Sequence, residues 1–191
     1  MRTTWIGPFA AIVGLVLIVG GYGACKYNSM VRAHEDVDGA WAQVENVLQR
    51  RADLIPNLVE TVKGYAQHER DIFTEVAQAR SRLIGAQGPR ESAEANQHVS
   101  SALSRLLAIS ERYPDLKANQ NFMRLQDELA GTENRIAVER KRYNDEVRDF
   151  NKQIAQFPNR IFASMFGFDQ REYFEAAEGT QTPPEVRFGS R

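Results

Sequence analysis

The chain has 191 residues, with 24 Lys and Arg against 25 Asp and Glu, a net charge of −1. That balance, without any basic stripe interleaved with aromatics, argues against nucleic acid as a partner. One cysteine, Cys25, excludes both an internal disulfide and a cysteine-rich zinc site.

The first element is apolar. Residues 5–24, WIGPFAAIVGLVLIVGGYGA, carry no charged side chain. As a helix, those residues rise about 30 Å, the thickness of a bilayer's hydrocarbon core. A cleaved signal peptide would have a shorter apolar core, although Gly23-Ala24 resembles a cleavage site. A lipoprotein would be acylated at Cys25, but Tyr22 stands where that motif prefers an aliphatic residue. The preferred reading is a retained transmembrane anchor over residues 1–25, crossing once. Arg2 on one flank and Lys26 with Arg32 on the other leave the orientation open. Ala10 with Gly14, and Gly20 with Ala24, are small residues four apart, a spacing that lets helices approach. Gly14 and Gly20 are therefore candidate assembly positions.

Residues 26–174 are expected to form one helical bundle domain. One apolar seam reads Tyr27, His34, Trp41, Leu48 and Ile55, flanked by Val37, Val44 and Leu58. Pro56 should kink or restart this helix, because proline lacks the N–H that an interior turn needs. Val59, Val62, Ile72, Phe73, Val76 and Leu83 continue an amphipathic stretch to about Gly85. GAQGPRES, residues 85–92, reads as a hairpin loop, and a third helix runs from about Glu91 to Arg112. Tyr113-Pro114-Asp115-Leu116 is a turn. From Asn119 to Phe157, positions seven apart read Phe122, Leu129, Ile136, Tyr143, Phe150 and Phe157. That predicts a helix of roughly 39 residues, about 58 Å long, whose seam drifts onto Val147 and Ile154. The fold class is all-α: long helices in an antiparallel bundle, since short links between long amphipathic helices imply it.

Arg51 lies on the seam flank, seven residues after Val44. Glu133 and Arg140 hold the equivalent flank of the long helix. The plainer expectation is that these side chains snorkel to solvent. The sharper one is a buried Arg51–Glu133 contact, because an unpaired buried charge is costly. Arg51, Glu133, Arg140 and Asn144 make up the expected structural polar network.

Tyr27-Asn28, Trp41, RRADLIPNLVETVKGYAQHE (50–69), YPDLKANQNFMRLQDELAGTENRIAVERKRYNDEV (113–147) and FPNRIFASMFGF (157–168) closely resemble the LemA family. The resemblance runs from residue 27 to about 174. It implies a membrane-anchored antiparallel helical bundle in a bacterial inner membrane. The family's recurring positions fall on Asn28, Arg51, Asp53, Pro56, Asn57, Tyr65, Asn119, Glu133, Asn134, Arg140, Tyr143 and Asn144. It supplies no reaction. One branch, the MamQ proteins, is tied to making magnetosome membranes, which implies a role in membrane organisation.

Enzyme signatures are sparse. The histidines are His34, His68 and His98, and none forms H-E-x-x-H. Glu94 and His98 share a helix face without a second such pair, so neither a metal nor a cofactor is expected. His34 reads as a core-edge histidine. Late in the chain, Ile161, Phe162, Met165, Phe166 and Phe168 form an apolar cluster after Pro158. It is expected to pack on its own bundle, on another copy, or at the lipid interface. Residues 175–191 read as a flexible tail. The expected function is a non-enzymatic, self-assembling membrane scaffold with membrane lipid, its own copies and other membrane proteins as partners. The alternative is an adaptor or sensor presenting the bundle to a partner such as a membrane protease.

Overall fold

The computed structural model describes residues 6–175, with side chains from residue 13 onward except at 16 and 19. The expected tail, 176–191, lies outside the described residues. The described elements are all helical. They are α1 (Ile6–Lys63), α2 (Arg70–Gly85), α3 (Gly88–Ala108), a 3-10 turn (Ile109–Arg112), α4 (Pro114–Lys117), α5 (Gln120–Ala155) and α6 (Asn159–Phe166). The described residues form two compact units: residues 6–40 with 144–171, and residues 41–143 with 172–175.

The second unit is an antiparallel bundle. Arg51 of α1 meets Glu133 of α5, and Tyr65, just past α1, meets Asn119, just before α5. Its core is built from the seams: Val44, Leu48, Ile55, Leu58 and Val62 from α1, and Phe122, Leu129, Ile136 and Tyr143 from α5. Phe73, Val76 and Leu83 of α2, and Val99, Leu103 and Leu106 of α3, complete it. A link of only two residues, Ala86-Gln87, folds α3 back along α2, and Glu75 pairs with Arg105 at 2.9 Å. The expected loop over 85–92 is therefore mostly helix. Pro89 suits a first turn, where no N–H is needed, and the Glu91 carboxylate accepts the Gln87 N–H at 2.9 Å. The third helix ends at Ala108, and the residues to Arg112 tighten into the 3-10 turn.

Pro56 does not restart the helix. α1 continues through it to Lys63, and the break comes at Gly64–Glu69. The reason is local. A residue at 56 with an N–H would donate to the Ala52 carbonyl one turn back, and proline leaves that acceptor bare. Arg80 of α2 fills the vacancy, its Nε donating to Ala52 O at 2.8 Å.

In the first unit, α1 and α5 also run antiparallel, with Gln153 donating to Ser29 Oγ at 2.9 Å. Met30, Val37, Val147, Phe150 and Ile154 are buried there. The sixth seam residue, Phe157, is not buried: it is 84% exposed. α5 stops at Ala155, so the helical register no longer carries Phe157 to the seam. α6 ends at Gly167, whose φ of 75° closes the helix by N–H donation to Ala163 O, a left-handed cap that glycine adopts without a Cβ penalty.

Among the described residues, no helix is long and apolar enough to cross a membrane. The apolar run 5–24 lies partly on residues whose side chains are outside the description.

Arg80→Leu is expected to lower stability by about 1–3 kcal/mol, the cost of orphaning a buried acceptor. Most of that loss should vanish in a Pro56→Ala background, where an N–H returns. Urea unfolding of the four proteins, followed by circular dichroism, checks this. Equal losses in both backgrounds would refute the role given to Arg80.

Candidate functional site

Arg51 is the buried charge of the second unit, 4% exposed in the middle of α1. Its Nη1 lies 2.5 Å from Glu133 Oε2 and donates to Asn96 Oδ1 of α3 at 2.7 Å. Ser100, one turn beyond Asn96, reaches Glu133 at 3.5 Å. Arg51 Nε is buried with no partner. Burial therefore pushes the guanidinium's pKa down, and the Glu133 carboxylate opposes that shift. The Glu133 side chain is 50% exposed, so the pair spans from core to water. Of the four residues expected in a polar network, the structure brings together Arg51 and Glu133. It does not bring in Arg140, which is exposed. Seven residues separate Arg140 from Glu133, about 10.5 Å along the axis and out of reach of one guanidinium. Asn144 is half-buried and falls in the first unit. Asn96 is the member that seam-reading missed. It belongs to a small polar stripe, Ser92, Asn96 and Ser100, at four-residue spacing on α3.

One aromatic grouping and a second ion pair accompany this pair in the second unit. Tyr143, fully buried, donates its hydroxyl to Glu172 O at 2.7 Å and sits 5.3 Å from the Trp41 ring. Trp41 also meets Phe174 at 6.1 Å. At the far end, Glu69 takes an ion pair from Arg112 at 3.0 Å.

The first unit carries a separate cluster. Tyr22 meets Phe162 at 6.1 Å between ring centres, and Tyr27 meets Phe166 at 4.9 Å and Phe168 at 6.0 Å. Phe162, Phe166 and Phe168 thus pack back on α1. Ile161 and Met165 are exposed. Gly14 and Gly20 are open: a methyl added at either meets no neighbouring atom within 4 Å. Gly23 is close-packed, its added methyl falling 3.2 Å from the Phe162 ring. Deeper in this unit, His34 stacks edge-on to Phe150 at 5.6 Å. Arg171 donates to His34 Nε2 at 3.3 Å and also pairs with Asp38. Because arginine only donates, Nε2 is the acceptor and Nδ1 carries the hydrogen, facing Asp38 at 3.3 Å. Asn151 holds the Arg171 backbone at both its N–H and its carbonyl, at 2.8 and 2.9 Å. Asp38, Asn151 and Arg171 carried no sequence signal, because they meet only through the fold.

Among the described residues, no group of three or more His, Cys, Asp or Glu side chains is placed to hold a metal ion. Glu94 and His98 border a shallow mixed depression with Arg82 and Glu91.

The LemA family profile matches residues 40–188. The chain belongs to the LemA family. It is similar to magnetosome protein MamQ 1 of Paramagnetospirillum magneticum, 28% identical over 184 residues, covering 83% of this chain and 68% of that one. Magnetosome protein MamQ of Magnetospirillum gryphiswaldense shows the same identity and coverage. Protein LemA of Metamycoplasma hominis is 23% identical over 179 residues, covering 92% of this chain and 82% of that protein. The profile takes in Arg51, Asn96 and Glu133 of this LemA-family chain, and also α6.

Glu133→Ala should destabilise the protein by about 1–3 kcal/mol, because Arg51 cannot rotate to water. Arg51→Met should cost less, since Glu133 already reaches solvent and the methionine fills the space. Urea midpoints for the two variants check the order, and the reverse order would show that solvent already satisfies Arg51.

Proposed function

We propose that this LemA-family protein is a non-enzymatic membrane scaffold. Residues 5–24 anchor it once in a bacterial inner membrane, and its helical units assemble copies of the chain at that surface. One observation carries the reading. The first unit exposes large apolar side chains from two elements: Leu17 at 70% and Ile18 at 71% on α1, and Met165 at 63% on α6. Water around so many apolar groups is unfavourable, and surfaces of this kind are covered by lipid or by another chain. The charge-free run supports lipid for the first part, and the open Gly14 and Gly20 positions support close helix approach within it. The MamQ relatives are magnetosome proteins by name, which favours membrane organisation for this chain too. Neither MamQ nor LemA is the name of an enzyme.

Light scattering in mild detergent tests the proposal. Full-length protein is expected to form a discrete assembly of several copies. A form lacking residues 1–25 is expected to fall to a smaller species. Monomers in both forms would overturn scaffolding and favour an adaptor that presents the bundle to another protein.

A further inference from the structure

The residues of α6 sort into stripes around its axis. At about 100° per residue, Arg160 and Ser164 form one side, Ile161 and Met165 the next, and Phe162 and Phe166 the third. Each side has different surroundings. Arg160 and Ser164 share a depression with Asp169 and Gln170. Phe162 and Phe166 pack on Tyr22 and Tyr27 of α1. Ile161 and Met165 remain 58% and 63% exposed, and Phe157, in the turn before α6, is exposed as well.

What covers the apolar stripe follows from where α6 sits. Phe162 lies against Tyr22 and Gly23, and Phe166 against Tyr27. Those α1 residues straddle the end of the charge-free run, 5–24, and Lys26 is the first charge after it. With that run across a bilayer, this level of α1 is the headgroup region, where tyrosine rings and lysine amines settle. Lys26 stands over the Tyr22 ring at 5.4 Å. One turn before Tyr22, Ile18 is exposed too, so the apolar surface of the anchor runs up to α6. A second copy is a poorer occupant. Outside the charge-free run the stripe offers only a few side chains, whereas a stable interface buries about 800 Å² on each partner. A lipid surface needs no such area, because the anchor already holds it beside the stripe.

We infer that α6 is an interfacial helix that inserts Ile161 and Met165 into the bilayer surface and keeps Arg160 and Ser164 in water. This rests on the membrane-anchored reading above and adds a second membrane contact to it.

Spin labels test the inference. Full-length chains carrying Cys25→Ser and one added cysteine, Leu17→Cys, Ile161→Cys, Ser164→Cys or Met165→Cys, are labelled and reconstituted into dioleoyl phosphatidylcholine vesicles. All the replaced residues are exposed, so the circular dichroism should be unchanged. Collision with oxygen, which concentrates in lipid, is compared with collision with a water-soluble nickel chelate. Labels at 161 and 165 should favour oxygen and sit about 5–10 Å below the headgroup boundary. The label at 164 should favour nickel. Nickel preference at 161 and 165 would overturn the inference, and so would oxygen preference at 164 equal to theirs. Shielding of 161 and 165 from both reagents would overturn it as well, with dipolar broadening marking a second copy as the cover. A label at 17 in lipid, with 161 and 165 in water, would sink the insertion of α6 and leave the anchor standing. A label at 17 in water would overturn the anchor reading and the inference with it.

Discussion

Pro56 removes the main-chain donor that an α-helix would aim at the Ala52 carbonyl, and Arg80 of α2 supplies the hydrogen bond from outside the helix. The bundle of the second unit depends on that replacement. Because α1 continues to Lys63, Leu58 and Val62 stay in register with Val44, Leu48 and Ile55 and enter the same core. A restart at 56 would rotate the last two turns and turn those side chains away. The same hydrogen bond ties α2 to α1, so local backbone chemistry and tertiary packing support each other.

Arg51 shows how the bundle tolerates a charge in its core. Asn96 supplies one acceptor from α3, and Glu133 supplies the counter-charge from α5. Glu133 keeps half its surface in water, so one of the two ions avoids most of the desolvation cost. The arrangement draws on three helices at once and therefore specifies their register. A hydrophobic residue at 51 would pack the same space without choosing which turns of α3 and α5 lie opposite it.

The first unit follows a different rule. Its buried side, around Met30, Val37, Val147 and Phe150, is an apolar core. Its outer side keeps leucine, isoleucine and methionine exposed beside small residues on α1. α6 and the residue just past its cap serve both: Phe162, Phe166 and Phe168 return to α1, while Ile161 and Met165 stay exposed. One short helix can do this because its eight residues make about two turns, enough for two faces. The proposed membrane anchorage draws on that two-sidedness.

The helical class, the seams of α1 and α5 and the apolar run were legible because each repeats with a regular period over many residues, and period reports which face is buried. The family was legible through long blocks such as RRADLIPNLVE. The fate of Pro56, the acceptor Asn96 and the clamp of Arg171 by Asp38 and Asn151 were not. Each depends on a residue distant in the chain: Arg80 is 28 positions from Ala52, Asn96 is 45 from Arg51, and Arg171 is 133 from Asp38. A sequence records which faces must leave water, because that is a property of each segment alone. Which polar atoms then meet is decided only when the segments are packed, since direction and distance between them exist only in three dimensions.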